Sequence, residues 1–148
     1  MNGRRHRSIS GCSVTFLVFI CLFSGSLSPA KPPSKFARQT KTIFRENTWQ
    51  KMAAWVDEQS RIYLRIPNLQ TGFVTADQAR RLFKEMEKRF DTRKFKLITD
   101  EGSPESRWLI RAQWSFFDRN FDRTFTYTIE LGWEYTRKVW RLVIFQAQ

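Results

Sequence analysis

Any chemistry in the body of this 148-residue chain must come from carboxylates, tyrosines and basic side chains, because both cysteines and the single histidine lie at or before Cys21. His6, Cys12 and Cys21 belong to a stretch with the layout of an export signal. Arg4, Arg5 and Arg7 give a positive start, Val14 to Phe23 an apolar run, and Ser24 to Ser28 a small and polar exit. Ser28 and Ala30 then occupy the −3 and −1 positions of a cleavage before Lys31. The apolar run falls short of the ~20 residues that cross a membrane. A lipid-attachment cysteine would follow such a run, whereas Cys12 precedes it and Cys21 lies inside it, so ordinary secretion to the periplasm or beyond is the expectation. Cleavage would leave a chain without thiol or imidazole. Cysteine nucleophiles, histidine relays and soft-metal sites are then excluded, and no phosphate loop, nucleophile elbow or metal-spaced acid cluster is found. The expected cofactor list is empty, as is the metal list.

The remaining acids are poorly placed for proton transfer. Asp57 and Glu58 close a segment read as the first helix, near one end of the fold, and alone have the position of a base. A carboxyl group works as a base near neutral pH when apolar walls raise its pKa. Asp118 and Asp122 read as turn residues. Glu130 and Glu134 share a strand parity with Thr124, Thr126 and Thr128, which turns them outward. Tyr63 and Tyr127 could orient a ligand or simply pack. No residue is assigned a catalytic role on this reading.

Aromatic and basic residues offer more. The chain holds 14 Phe, 6 Trp and 3 Tyr. Trp55, Phe73, Phe83, Trp108, Trp114, Tyr127 and Trp133 are expected to converge on the interior, either as solid core or as the lining of an apolar pocket. A net charge of +12, still strongly positive without the three signal arginines, favours anionic surfaces. Arg61, Tyr63, Arg65, Arg111 and Arg141 form a candidate basic patch on the outward faces of strands. The partners expected are an apolar ligand or an envelope protein, an anionic lipid surface, or a second copy through the Thr-rich sheet face; nucleic acid is not expected outside the cytoplasm.

These residues need elements to hold them. Residues 31–41, opening on Pro32-Pro33-Ser34, read as a flexible basic leader, with one folded domain over 42–148. Asn47 and Gln50 suggest a cap for a helix over Thr48 to Glu58. Ile62, Leu64 and Ile66 alternate with Arg61, Tyr63 and Arg65 as a half-buried strand that stops at Pro67-Asn68, and Gly72-Phe73-Val74 is a short second strand. Thr75 with Gln78 caps a long amphipathic helix carrying Ala79, Leu82, Phe83, Met86 and Phe90. Beyond Arg93 the period becomes two. Phe95 and Leu97 mark one strand, Trp108 to Phe116 another, Phe125 to Tyr135 a third. Val139 to Gln146, apolar on both faces except at Arg141, is a strand away from an open edge, either covered or central.

Strands segregated from helices indicate an α+β fold, a curved antiparallel sheet packed on an N-terminal helix and one long amphipathic helix. The succession resembles the nuclear-transport-factor-two-like superfamily, in which such a sheet wraps helices into a cone with a pocket at its wide end. Ile66-Pro67-Asn68-Leu69, Gly72-Phe73, Thr75-Ala76-Asp77-Gln78-Ala79 and the tryptophan-led Trp140-Arg141-Leu142-Val143-Ile144 are similar to segments of uncharacterised exported bacterial domains of that superfamily. A cystatin has a related outline, but the Gln-x-Val-x-Gly hairpin of those protease inhibitors is missing. The resemblance implies either a ligand-binding cone or an isomerase, dehydratase or hydrolase with a carboxylate inside it. The inward strand faces lack such a group, which favours an exported, non-enzymatic binding module acting through the cone interior or the outer sheet face. Electrostatic binding to anionic envelope lipid is the other alternative.

Overall fold

A computed structural model describes residues 34–148, so the expected signal over 1–30 lies outside the described residues. Its elements run α1 (Lys35–Glu46), a 3₁₀ segment (Trp49–Trp55), β1 (Ile62–Ile66), β2 (Gln70–Val74), α2 (Ala76–Arg89), β3 (Phe90–Gly102), β4 (Arg107–Asp118), β5 (Arg123–Thr136) and β6 (Val139–Ala147).

The reading of the N-terminal part needs two corrections. Residues 35–41 are not a flexible leader; they begin α1, so the fold starts before Thr42. Ser34 caps that helix, its hydroxyl accepting from the N–H of Ala37 at 3.1 Å. Ala37, Thr40, Ile43 and Phe44 form its buried stripe. The basic residues that suggested a leader occupy its wet face. Nor does Asn47 start a helix over 48–58. It ends α1 in the left-handed conformation at φ 53, and its side chain accepts from Thr92 N and donates to Asp91. The next element is the 3₁₀ segment, which buries Trp49 and Met52.

The sheet has six strands in the order β2-β1-β6-β5-β4-β3. All pairs are antiparallel except β1 with β6, where Tyr63 lies opposite Ile144. β6 therefore sits between β1 and β5, which is why a strand apolar on both faces suits it. Register shifts at Thr92/Lys94, Leu97/Thr99 and Gly132/Trp133 are bulges, and bulges bend a sheet. The concave face that results carries Trp108, Ile110, Ala112, Trp114 and Phe116 on β4 and Ile129, Leu131 and Trp133 on β5, all buried. β5 departs from the expected alternation at its ends, where Phe125 and Tyr127 are half-buried and Tyr135 is exposed.

α1, the 3₁₀ segment and α2 fill that concavity. Phe44 and Trp49 meet Trp114 at 5.3 and 5.1 Å between ring centres, and Phe83 and Met86 of α2 are fully buried. α2 begins as its sequence requires. The Thr75 hydroxyl accepts from Gln78 N at 3.4 Å, while the Gln78 side chain accepts from Thr75 N at 2.9 Å. Thr75→Ala is expected to cost about 1 kcal/mol in chemical denaturation, with the midpoint lowered and the slope unchanged.

Candidate functional site

One end of the molecule gathers the start of α1, the end of the 3₁₀ segment, the β3–β4 loop and the β5–β6 hairpin. The anchor there is Asp100 on β3, whose register partner is the inward residue Ile110. Its carboxylate accepts from Ser34 N at 2.5 Å, Ser34 Oγ at 2.7 Å and Trp108 Nε1 at 2.6 Å. A carboxylate at the N-terminus of α1 is favoured by the unpaired N–H groups of that first turn. The contact fixes α1 against β3 and β4, which drives Phe36 into a cage of indoles. Its ring centre lies 5.0 Å from Trp140, 5.2 Å from Trp133, 6.3 Å from Trp108 and 6.5 Å from Trp55.

Beside this cage opens a cavity of about 630 Å³. Its apolar wall is Phe36, Trp55, Pro104, Trp108, Val139 and Trp140, with Ala54 between them. Ser34 and Gln39 add polar groups, and the charged residues lining it are Lys35 and Lys138. The volume falls within the range of small-molecule sites, which are mostly apolar with a few placed polar groups. Among the described residues, none that lines it is a carboxylate or a tyrosine.

The residues singled out from the sequence divide among several places. Trp55 and Trp108 line the cavity, while Trp133 stacks on Phe36 without lining it. Phe83 and Trp114 are solid core at full burial and line no opening. Tyr127 is half-buried at the opposite end, stacked on Phe125. Phe73 does not face inward: it is 67% exposed and packs on Tyr63 across the β1–β2 pair. A glycine-started alternation in a five-residue edge strand carries too little pattern to fix its face. Phe36, Trp140, Lys35 and Lys138 were missed. Phe36 was hidden by reading α1 as a leader, although Phe36, Thr40, Ile43 and Phe44 follow helical spacing.

The basic patch is also broken up. Arg61 and Arg65 are exposed, but Arg111 pairs with Glu130 at 2.9 Å and Arg141 with Asp57 at 2.5 Å. Glu130 and Glu134 do face outward, and their partners across the strand pairs are these arginines and Arg107. Asp57 is held for a structural purpose. The Ser60 hydroxyl at 2.6 Å lowers its pKa, burial opposes this, and the Arg141 guanidinium lowers it further. A carboxyl held below its usual range is a weak base at neutral pH. Glu58 is engaged by Arg80. Asp118 does open the β4–β5 turn, its carboxylate accepting from Asn120 N at 3.0 Å, but it is in addition a buried partner of Arg89, which the sequence reading lacked.

No family model matches this chain, and no curated protein matches it. Solved structures do. A DUF4783 family protein from Bacteroides uniformis is similar with a TM-score of 0.60 at 8% identity, covering 75% of this chain and 94% of that one. A protein of ketosteroid isomerase-like fold from Catenulispora acidiphila, crystallised with trimethylamine, has a TM-score of 0.58 at 5% identity over 78% and 85% of the two chains. A SnoaL-like protein from Mesorhizobium loti reaches 0.55 at 4% identity, covering 75% and 93%. At such identities the likeness is one of fold: the chain has the nuclear-transport-factor-two-like cone, and some of its neighbours are uncharacterised bacterial proteins.

Proposed function

We propose that this cone-fold chain is a non-catalytic binding module that takes an apolar ligand at the wide end of the cone, against Trp55, Trp108 and Trp140. A single observation carries the reading: the deep interior is filled with rings, and the cavity of about 630 Å³ at this end is aromatic-walled and, among the described residues, lined by no carboxylate, tyrosine or histidine. A hydrophobic ligand covered by such walls is stabilised by about 25 cal/mol per Å² of apolar surface removed from water. No carboxylate, tyrosine or imidazole among the described residues stands there to carry a proton, and Asp57, the acid nearest that role in the sequence, is committed to Ser60 and Arg141. The fold neighbours allow binding and isomerase-like roles alike, and the contents of the cavity favour the first.

The test uses N-phenyl-1-naphthylamine, an uncharged apolar dye that brightens out of water. Wild-type protein is expected to bind it saturably. Trp140→Ala is expected to weaken binding at least tenfold while the melting temperature falls only slightly, because Trp140 is half-buried at the rim. Wild-type protein that leaves the dye dark, or a Trp140→Ala variant that binds equally well, refutes the proposal.

A further inference from the structure

We infer that the cavity selects an amphiphilic anion, a short apolar tail ending in a carboxylate or similar group, and that the strained β5–β6 hairpin supplies the selecting charge. The inference rests on the binding reading above and names the ligand class of the same site.

The hairpin joining Thr136 to Val139 has two central residues, Arg137 and Lys138, at φ 50 and φ 66. Two-residue hairpin turns with both central residues at positive φ are ordinarily made from Asn-Gly, Asp-Gly or Gly-Gly. A long side chain in the left-handed region is strained, because its Cβ crowds the following carbonyl oxygen. Here two consecutive cations stand in that conformation at a turn that borders the cavity through Lys138. Neither side chain is buried into the fold: Arg137 donates to Gln59 at 3.1 Å and its charge adds to that of Arg141 on Asp57, and Lys138 appears in no ion pair among the described residues. Strain kept at a site where a cheaper turn would serve points to use of the side chain.

The rest of the cavity agrees in sign. Lys35, on the first turn of α1, is its second charged residue, and among the described residues no acid lines it. Asp100 does not line it: its carboxylate accepts from Ser34 and Trp108 at the start of α1. Glu134, on the strand leading into the hairpin, is paired with Arg107 on the outer face. A ligand whose tail lies against Trp55, Trp108 and Trp140 would thus meet a rim whose charged lining residues are both lysines. Strength there comes from the low dielectric of the aromatic walls, which raises the worth of each charge contact above its value in water. The size of the cavity fits a free small molecule, and the surface of a bilayer would have to reach into it.

The experiment compares decanoate with decanol on the full chain, followed by displacement of the same dye. Wild-type protein is expected to bind decanoate at least tenfold tighter, with the preference shrinking as salt rises. Arg137→Asn/Lys138→Gly, which gives the hairpin its preferred residues, is expected to melt higher by about 4 °C and to lose most of the decanoate preference while keeping decanol affinity. Lys138→Gln, which keeps the strain and removes the charge, is expected to lose the preference without the gain in melting temperature. Equal binding of the two ligands by wild type overturns this inference and leaves the binding reading standing; failure of both ligands to bind overturns both. A double variant that melts lower refutes the strain argument. Binding to phosphatidylglycerol vesicles that decanoate does not compete away assigns the positive rim to a membrane surface and likewise overturns the inference.

Discussion

Asp118→Ala is expected to destabilise the protein by about 3–5 kcal/mol, because it strands a buried guanidinium. Arg89 and Asp118 are 6% and 2% exposed and face each other bidentately, Nε to Oδ1 at 2.9 Å and Nη2 to Oδ2 at 2.8 Å. The third arginine nitrogen donates to the carbonyl of Asn68 at 3.1 Å, and Asp118 also accepts from Asn120 N at 3.0 Å. One pair thereby ties the end of α2, the β1–β2 turn and the β4–β5 turn together at the narrow end of the cone. Phe90 and Phe121 flank the guanidinium, at 5.2 and 5.4 Å from ring centre to Cζ. Removing one partner costs more than removing both, so Arg89→Met/Asp118→Leu is expected to recover much of the loss in urea denaturation. A double variant no more stable than Asp118→Ala contradicts this account.

The same pair gives the pH dependence its sign. Burial pushes the Asp118 carboxyl up, but the hydrogen bonds from Arg89 and from Asn120 N, with the arginine charge, outweigh it and hold the pKa below 3.8. A group whose native pKa lies below its unfolded value contributes stability that is complete above the unfolded value and disappears as pH falls through the native one. Asp57 is shifted in the same direction. Wild-type protein is therefore expected to lose stability on acidification below about pH 4, and the Arg89→Met/Asp118→Leu variant to lose less. Parallel acid curves for the two proteins exclude the pair as the source.

Trp114→Ala is expected to cost about 3–5 kcal/mol as well, through a different mechanism. Trp114 is fully buried and touches Phe44 at 5.3 Å, Trp49 at 5.1 Å, Phe90 at 5.6 Å and Phe116 at 4.0 Å between ring centres. Those rings belong to α1, the 3₁₀ segment, β3 and β4, so a cavity at Trp114 unsupports every layer at once. Its indole N–H also donates to Thr92 Oγ1 at 3.0 Å, beside the bulge that bends β3. Trp114→Phe is expected to cost less, since it keeps most of the ring volume and loses the hydrogen bond. Comparison with Trp140→Ala separates the two uses of tryptophan in this chain: loss of folding stability at Trp114, loss of ligand at Trp140. An alanine at Trp114 that leaves the denaturation midpoint unchanged would show that the interior is not packed as described.

The reach of the sequence follows from the reach of its patterns. Parity alone placed Trp108, Ile110, Ala112, Trp114 and Phe116 on one buried face of β4, and the two-sided apolar character of β6 kept it away from an open edge. Capping chemistry marked the start of α2 to the residue, because Thr75 and Gln78 act over three positions of contiguous chain. Local rules of this kind need no knowledge of what lies across the fold. They misled where two local signals competed, as in α1, where Pro32-Pro33 and alternating basic residues obscured an apolar stripe at helical spacing.

The site was legible only in part. Trp55 and Trp108 stood in the expected lining, but the cage forms because Asp100 on β3 catches Ser34 across 66 positions of chain and delivers Phe36 to Trp140. The buried Arg89–Asp118 pair, 29 residues apart, read in the sequence as a helix end and a turn. The left-handed pair Arg137 and Lys138 carries no composition that announces a two-residue hairpin. Linear pattern was enough to settle which faces of β1 and β4 are apolar, where α2 begins, and that the chain beyond Cys21 holds no thiol or imidazole. Folding in three dimensions settled which rings fill the cone and which leave room at its mouth, and which acids are spent on arginines. Those outcomes depend on which residues meet across long stretches of chain, and a linear pattern records a residue's face without recording its partner.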